Sequence, residues 1–236
     1  VRESDKQKDI MRKVRLATIL GTFQASLTNL RRLRKKWVIN TEEEALLGVS
    51  LTGIMDNSFM NGSYKDRGVS EWHGNLNLPD FLIKLKKESV KVNKEWAELL
   101  GINPSTSITA IKPSGTVSQL VDSASGIHPR HNDYYLRRVR ADTKDPIAQL
   151  MKDEGVPCEP DVTKPDSVEV FTFPMKAPEG AILRDDRTAI QQLELWLTYQ
   201  RYYCEHKPSI TISVKEHEWM EVGAWVYENF DEVSGV

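Results

Sequence analysis

The segment at residues 108–131, ITAIKPSGTVSQLVDSASGIHPRH, constrains the fold more than any other part of the chain. It begins with a short apolar run that fits a buried strand, and it then breaks at a Lys-Pro-Ser-Gly sequence typical of a turn. A helix is expected to follow from Thr116 to Leu120, because Ser and Thr residues such as Ser114 commonly cap helix N-termini. The segment therefore predicts a strand that turns sharply into a helix.

A turn of this kind leaves the first backbone N–H groups of the helix without intrahelical acceptors. Those donors and the positive end of the helix dipole together favour an anion such as phosphate. Hydroxyl groups lie in the same turn on Ser114, Thr116 and Ser118, and Gly115 leaves room for a close approach to the backbone. Ordinary helix starts have a similar composition, and the G-x-x-x-x-G-K-[ST] order of a Walker A loop is absent. The local pattern leaves open both a phosphate-binding turn and a helix start that binds nothing.

The composition excludes several classes of protein. The chain has 236 residues, a formal net charge of −2 and two cysteines, Cys158 and Cys204. A slightly acidic chain has no global field for nucleic acid, and two cysteines make neither a disulfide framework nor a zinc pattern. No apolar run approaches the roughly 20 residues of a membrane span, and no signal peptide is recognisable. We expect a cytoplasmic protein that binds neither nucleic acid nor membrane and uses no metal site of its own.

Helical and strand patterns alternate along the chain, which predicts an α/β fold with strands covered by helices. Helices are predicted from apolar spacings of three and four, at residues 5–36, 80–100, 188–203 and 216–230. Strands are predicted at residues 108–111, 134–139, 168–173 and 209–214. Four tryptophans fall on the apolar stripes of predicted helices and are expected in the core: Trp96, Trp196, Trp219 and Trp225.

Four ordered segments of the sequence resemble ribonucleotide reductases. The segment at residues 108–131 is similar to the turn that holds the substrate's phosphates in these enzymes. The other three segments are LATILGTFQA at residues 16–25, LLGVSLTGI at 46–54, and HKPSIT at 206–211 with EHEW at 216–219. The match is best to the adenosylcobalamin-dependent class II enzymes, and among them to the monomeric ribonucleoside-triphosphate reductases. It extends over nearly the whole chain.

The resemblance implies a fold and a role. Residues 1–236 would be a fragment of one catalytic domain without an internal boundary, namely the C-terminal half of the ten-stranded α/β barrel of reductases and glycyl-radical enzymes. The whole enzyme would convert ribonucleoside triphosphates to 2′-deoxyribonucleotides by thiyl-radical chemistry, with adenosylcobalamin as its cofactor. Its implied partners are the triphosphate substrate, a thioredoxin-like reductant and the remainder of the reductase chain.

The resemblance also assigns residues to the substrate. The implied phosphate-binding turn consists of six consecutive residues: Pro113, Ser114, Gly115, Thr116, Val117 and Ser118. Gly126 and Ile127, in the loop that follows, are expected to flank the substrate pocket. No catalytic residue is carried over, because the radical cysteine of the family lies in an Asn-x-Cys-x-Glu loop and neither cysteine here has that context. Cys204 is instead interpreted as a small apolar residue at a helix end.

Two alternatives remain open at this stage. One is the large subunit of a class I reductase, which obtains its radical from a separate di-iron subunit and would carry paired tyrosines near its C-terminus. The other is a non-catalytic module that binds a nucleotide or phosphate at the same turn and lacks the upstream cysteines.

Overall fold

A computed structural model describes residues 1–63, 77–115, 117–233 and 235. The chain divides into two compact units. Unit 1 comprises Val1–Arg130 and Glu179–Val236, and unit 2 comprises the intervening His131–Pro178. No internal boundary was expected from the sequence, and the helix and strand patterns of the sequence give no sign of this insertion.

The helical stripe predicted at residues 5–36 is not one helix, so that prediction is wrong. Helix α1 covers Gln7–Ala25, and a second helix, α2, covers Lys35–Glu44. The first helix ends where the Ser26 hydroxyl donates a hydrogen bond to the Phe23 carbonyl at 2.7 Å. Serine and its polar neighbours satisfy the backbone locally and so favour turns over helix interiors. Apolar spacing alone did not reveal this break.

The long amphipathic helix predicted after residue 80 is confirmed as α3, Leu78–Leu100. It begins at Asn77, whose side chain accepts a hydrogen bond from the Asp80 amide at 2.9 Å. It ends at Gly101, which has a left-handed φ of 67° and donates back to the last turn. Both ends therefore use side chains and backbone conformations that satisfy the free groups of a helix terminus.

Two parallel strands lie in unit 1. Strand β1, Val49–Ser50, pairs with β2, Thr109–Ala110, with Val49 opposite Thr109. The short helix α4, Val117–Leu120, follows β2. The strand predicted at residues 209–214 is absent from the ladders of the described chain, so the prediction fails here. The Ser209 amide donates a hydrogen bond to the carbonyl of Ile111, the residue that follows β2. A strand is defined by the ladder it forms with a partner strand, and the described residues supply no such partner for this segment.

Unit 2 is a small antiparallel sheet with one helix. Its elements are β3 at Tyr134–Asp142, α5 at Pro146–Asp153, β4 at Cys158–Pro160 and β5 at Val168–Lys176. The strands of the sheet follow the order β3-β5-β4. The two strands predicted in this part of the chain are confirmed, and each is longer than its sequence pattern indicated.

The remaining helices of unit 1 are α6, Ala189–Tyr202, and α7, Trp219–Glu228. Helix α6 contributes Trp196 and Tyr199 to the core, and both side chains are fully buried. No helix in the described ranges combines the length and apolar character needed to cross a membrane.

The expectation that all four tryptophans are core residues is wrong for one of them. Trp196 and Trp225 are buried, and Trp96 is half-buried with its ring 5.2 Å from that of Phe23. Trp219 is 61% exposed. It is the first residue of α7, and apolar spacing identifies the buried face of a helix without showing how far along its axis the core extends.

Gly223 lies inside α7 on an exposed position, and no heavy atom lies within 4 Å of the place that a Cβ would occupy. Gly223→Ala is expected to raise the free energy of unfolding by about 0.5–1 kcal/mol, because glycine loses more backbone entropy in a helix than alanine does. Urea denaturation of wild type and variant measures this difference. A less stable variant would contradict the helical geometry at this position.

Candidate functional site

The turn after β2 is organised by Ser114. The Ser114 Oγ accepts a hydrogen bond from the Ser118 amide at 2.9 Å, and the Ser118 hydroxyl donates to the Ser114 carbonyl. These two bonds close the turn at the start of α4. The strand, turn and helix predicted from the sequence are present. They are short, since β2 has two residues and α4 has four.

The six predicted phosphate-binding residues do not share one environment. Ser118 is fully buried and its hydroxyl is engaged within the turn, so it shapes the turn. Pro113, Gly115 and Val117 are exposed, and Ser114 is half-buried. Thr116 lies outside the described residues, and its expected role stays a prediction.

The exposed side of the turn presents backbone donors. Among the described residues, no acceptor is found for the amides of Gly115 and Val117. A Cβ at Gly115 would meet no heavy atom within 4 Å, and the residue does not have a positive φ. The described chain thus imposes no conformational or packing need for glycine at this position. Free amides on an exposed, uncrowded turn are what an anion site requires.

The loop at residues 122–130 packs against the start of this turn. Gly126 has a φ of +55°, and a Cβ there would lie 3.0 Å from the Lys112 carbonyl oxygen. Its amide donates to the Thr52 Oγ1 at 2.8 Å. Ile127 is fully buried in the hydrophobic core. The role of Gly126 and Ile127 beside the substrate pocket stays a prediction. Because the Ile127 side chain is in the core, only the backbone of Ile127 could face such a pocket.

A buried ion pair anchors the same loop, and the sequence analysis missed it. The Arg130 guanidinium contacts both carboxylate oxygens of Asp56, with Nε–Oδ1 and Nη2–Oδ2 distances of 2.9 Å each. Arg130 is 4% exposed and Asp56 is 2% exposed. The only sequence signal is an Asp inside a buried apolar segment, and its partner 74 positions away cannot be identified from a single sequence.

Comparison with known proteins places this geometry in context. No family model matches the chain. It is 28% identical over 208 residues to the adenosylcobalamin-dependent ribonucleoside-triphosphate reductase of Lactobacillus leichmannii, covering 79% of this chain and 28% of that protein. The Euglena gracilis reductase of the same name is 32% identical over 117 residues, which are 50% of this chain and 16% of that protein.

A solved structure also matches the fold of this chain. A crystal structure of a B-12-dependent class II ribonucleotide reductase matches with a TM-score of 0.70 and 20% identity, over 92% of this chain and 32% of that one. The resemblance to adenosylcobalamin-dependent reductases is confirmed. The chain spans 28% of the length of the Lactobacillus reductase, so the activity of a whole reductase is considered below as a proposal.

Cys204 lies two residues after the end of α6. Burial raises the pKa of its thiol to about 12. The next residue, Glu205, uses its Oε2 to accept hydrogen bonds from the Ile108 and Thr109 amides at 2.8 and 3.1 Å. This segment therefore holds the start of β2, which agrees with the interpretation of Cys204 as a structural residue. Within the described ranges, no group of three or more His, Cys, Asp or Glu side chains is arranged to hold a metal ion.

Alkylation tests the state of Cys204. With a pKa of about 12, its thiolate fraction at pH 7 should be lower than that of an ordinary cysteine by roughly three orders of magnitude. We expect iodoacetamide to modify it about a thousandfold more slowly than in the urea-unfolded chain. The rate should keep rising above pH 9, where the unfolded chain levels off. Equal rates in the folded and unfolded protein would contradict the burial of this thiol.

Proposed function

We propose that this chain is the part of an adenosylcobalamin-dependent ribonucleoside-triphosphate reductase that binds the substrate's phosphates. The observation that carries the proposal is the exposed turn at Gly115 and Val117, whose amides lack acceptors among the described residues, in a fold that matches a class II reductase. The names of the relatives favour this class over a di-iron class I subunit. They also favour an enzyme over a non-catalytic phosphate-binding module.

The chain's own contribution is binding and orientation. The amides of Gly115 and Val117 donate hydrogen bonds to phosphate oxygens, and bonds to a charged acceptor are stronger than those between neutral groups. The Ser114–Ser118 hydrogen bonds keep the turn in the conformation that presents these amides. The Thr116 hydroxyl, whose role is predicted from the sequence, adds a further donor. The ribose is then delivered to catalytic groups that belong to the remainder of the reductase chain.

We also propose that β1 and β2 are neighbouring strands of the ten-stranded α/β barrel. Their parallel pairing supports this, since closed barrels of this class are built from strands flanked by helices. In this proposal residues 1–236 belong to one catalytic domain, with unit 2 as an insertion.

The cofactor is adenosylcobalamin, which supplies the radical when bound. Cavities lined by described residues have volumes of about 540 and 630 Å³, within the roughly 300–1,000 Å³ of sites for drug-sized ligands. A cobalamin is much larger than such a ligand, so these cavities do not fit it. We assign none of the described residues to the cofactor, and we place the cofactor site and the radical cysteine in the remainder of the chain. A thioredoxin-like protein is the proposed reductant, which fits a cytoplasmic enzyme.

Product analysis of the full-length protein tests the proposal. The protein is incubated with each ribonucleoside triphosphate, adenosylcobalamin and a dithiol, and deoxyribonucleotides are separated by chromatography. We expect product that depends on both the cobalamin and the dithiol. Product that needs a di-iron subunit instead of cobalamin would support the class I alternative. Triphosphate binding without any product would support the non-catalytic module.

A further inference from the structure

The turn proposed to bind phosphate is held in place by the loop at residues 122–130. That loop is fixed by the ion pair of Asp56 and Arg130. Beyond its two bonds to Asp56, the guanidinium donates to the Asp122 carboxylate at 3.2 Å and to the Asp122 carbonyl at 3.1 Å. The Asp56 Oδ2 also accepts a hydrogen bond from the Ala124 amide at 2.7 Å. One buried pair therefore contacts both ends of the loop and a residue between them.

Additional bonds restrict the same loop from the segment before Asp56. The Gly53 amide donates to the Ala124 carbonyl at 2.7 Å, and the Ile54 amide donates to the Gly126 carbonyl at 3.2 Å. Ser125 lies between these two bound residues. Its backbone position is consequently determined on both sides by buried groups, and such over-determined positions are suited to orienting a functional group.

Ser125 connects this loop to the phosphate-binding turn. Its Oγ accepts a hydrogen bond from the Ser114 amide at 2.8 Å. Ser114 in turn closes the turn through Ser118, and its next residue is Gly115, whose amide has no acceptor in the described chain. The bond from Ser114 to Ser125 therefore orients the peptide that directly precedes the exposed donors.

We propose that Ser125 is a positioning residue for the phosphate-binding turn and that the Asp56–Arg130 pair holds Ser125 in place. The inference rests on the proposed function, because it concerns the affinity of the same turn. A bidentate pair between arginine and carboxylate fixes direction as well as distance, which apolar packing does not. A turn oriented before the ligand arrives loses less entropy on binding and binds more tightly.

Calorimetric titration of the full-length protein tests this. The ligands are ATP, GTP, CTP and UTP and the corresponding nucleosides, and the variants are Ser125→Ala, Arg130→Lys and the double variant. We expect Ser125→Ala to raise the Kd for the bound triphosphate about tenfold, a loss of roughly 1.4 kcal/mol, with the nucleoside Kd changed less than about twofold. The double variant should bind the triphosphate no more weakly than the weaker-binding single variant, because both substitutions act through the position of Ser125.

Ser107→Ala is the matched control, since the Ser107 Oγ is buried without a hydrogen-bond partner among the described residues. It should leave both affinities unchanged. A wild type that does not distinguish triphosphates from nucleosides would overturn the proposed function and the inference with it. If the wild type binds triphosphates more tightly than nucleosides but Ser125→Ala has the same triphosphate Kd as the wild type, the role of Ser125 is overturned and the proposed function is not. Additive losses of affinity in the double variant would overturn the role of the ion pair. If Arg130→Lys does not fold, the Ser125→Ala variant still decides whether Ser125 positions the turn.

Discussion

Replacing Trp196 by alanine is expected to lower the free energy of unfolding by about 3–5 kcal/mol, the range for removing a large aromatic side chain from a core. Trp196 has no exposed surface and is among the largest fully buried side chains of unit 1. Its Nε1 donates to the Pro208 carbonyl at 3.1 Å. The variant would therefore contain a cavity and would also leave this carbonyl without its donor, which adds to the loss.

Trp219→Ala is the matched control, since the same side chain is removed from a position that is 61% exposed. Its effect should stay within about 0.5 kcal/mol, the usual range for surface substitutions. Urea denaturation followed by circular dichroism measures both variants without relying on tryptophan fluorescence. Equal losses for the two variants would contradict the burial of Trp196 in α6.

Replacing Gly115 by valine is expected to raise the Kd of the full-length protein for ribonucleoside triphosphates roughly a hundredfold, or about 2.7 kcal/mol. The added side chain would stand beside amides that lack acceptors in the described chain and would prevent a phosphate from reaching them. Losing one or two hydrogen bonds to a charged group, at about 1.5–3 kcal/mol each, accounts for this magnitude. Stability should hardly change, because no heavy atom lies within 4 Å of the new Cβ.

Gly48→Val is the control for this substitution. Gly48 likewise has open space at its Cβ position and no positive φ, and it lies just before β1. Titration with a triphosphate and with its nucleoside should show a loss only for Gly115→Val with the triphosphate. A similar loss with the nucleoside would mean that the turn shapes the pocket in general. Unchanged triphosphate affinity would remove phosphate binding from this turn.

Helix α3 shows what the local sequence could predict. Its apolar spacing, its Asn77 cap and the glycine at its end all lie within the helix or next to it, and the helix is found within a few residues of its prediction. The break after α1 was missed, because the bond from Ser26 to Phe23 is a local alternative that apolar spacing does not register. The strand predicted at residues 209–214 failed for a different reason, since a strand depends on a partner that is distant in sequence.

The sequence by itself determined where the turn proposed to bind phosphate lies, because its proline, its glycine and its hydroxyl residues are neighbours along the chain. Only the tertiary structure decided what each residue does there: Ser118 points into the turn, while Gly115 and Val117 present their amides. It alone brought Asp56 and Arg130 together, since a buried charge gains its partner through folding and not through spacing. Local order follows from local chemistry, and the geometry of a binding site follows from contacts between segments that the sequence keeps far apart.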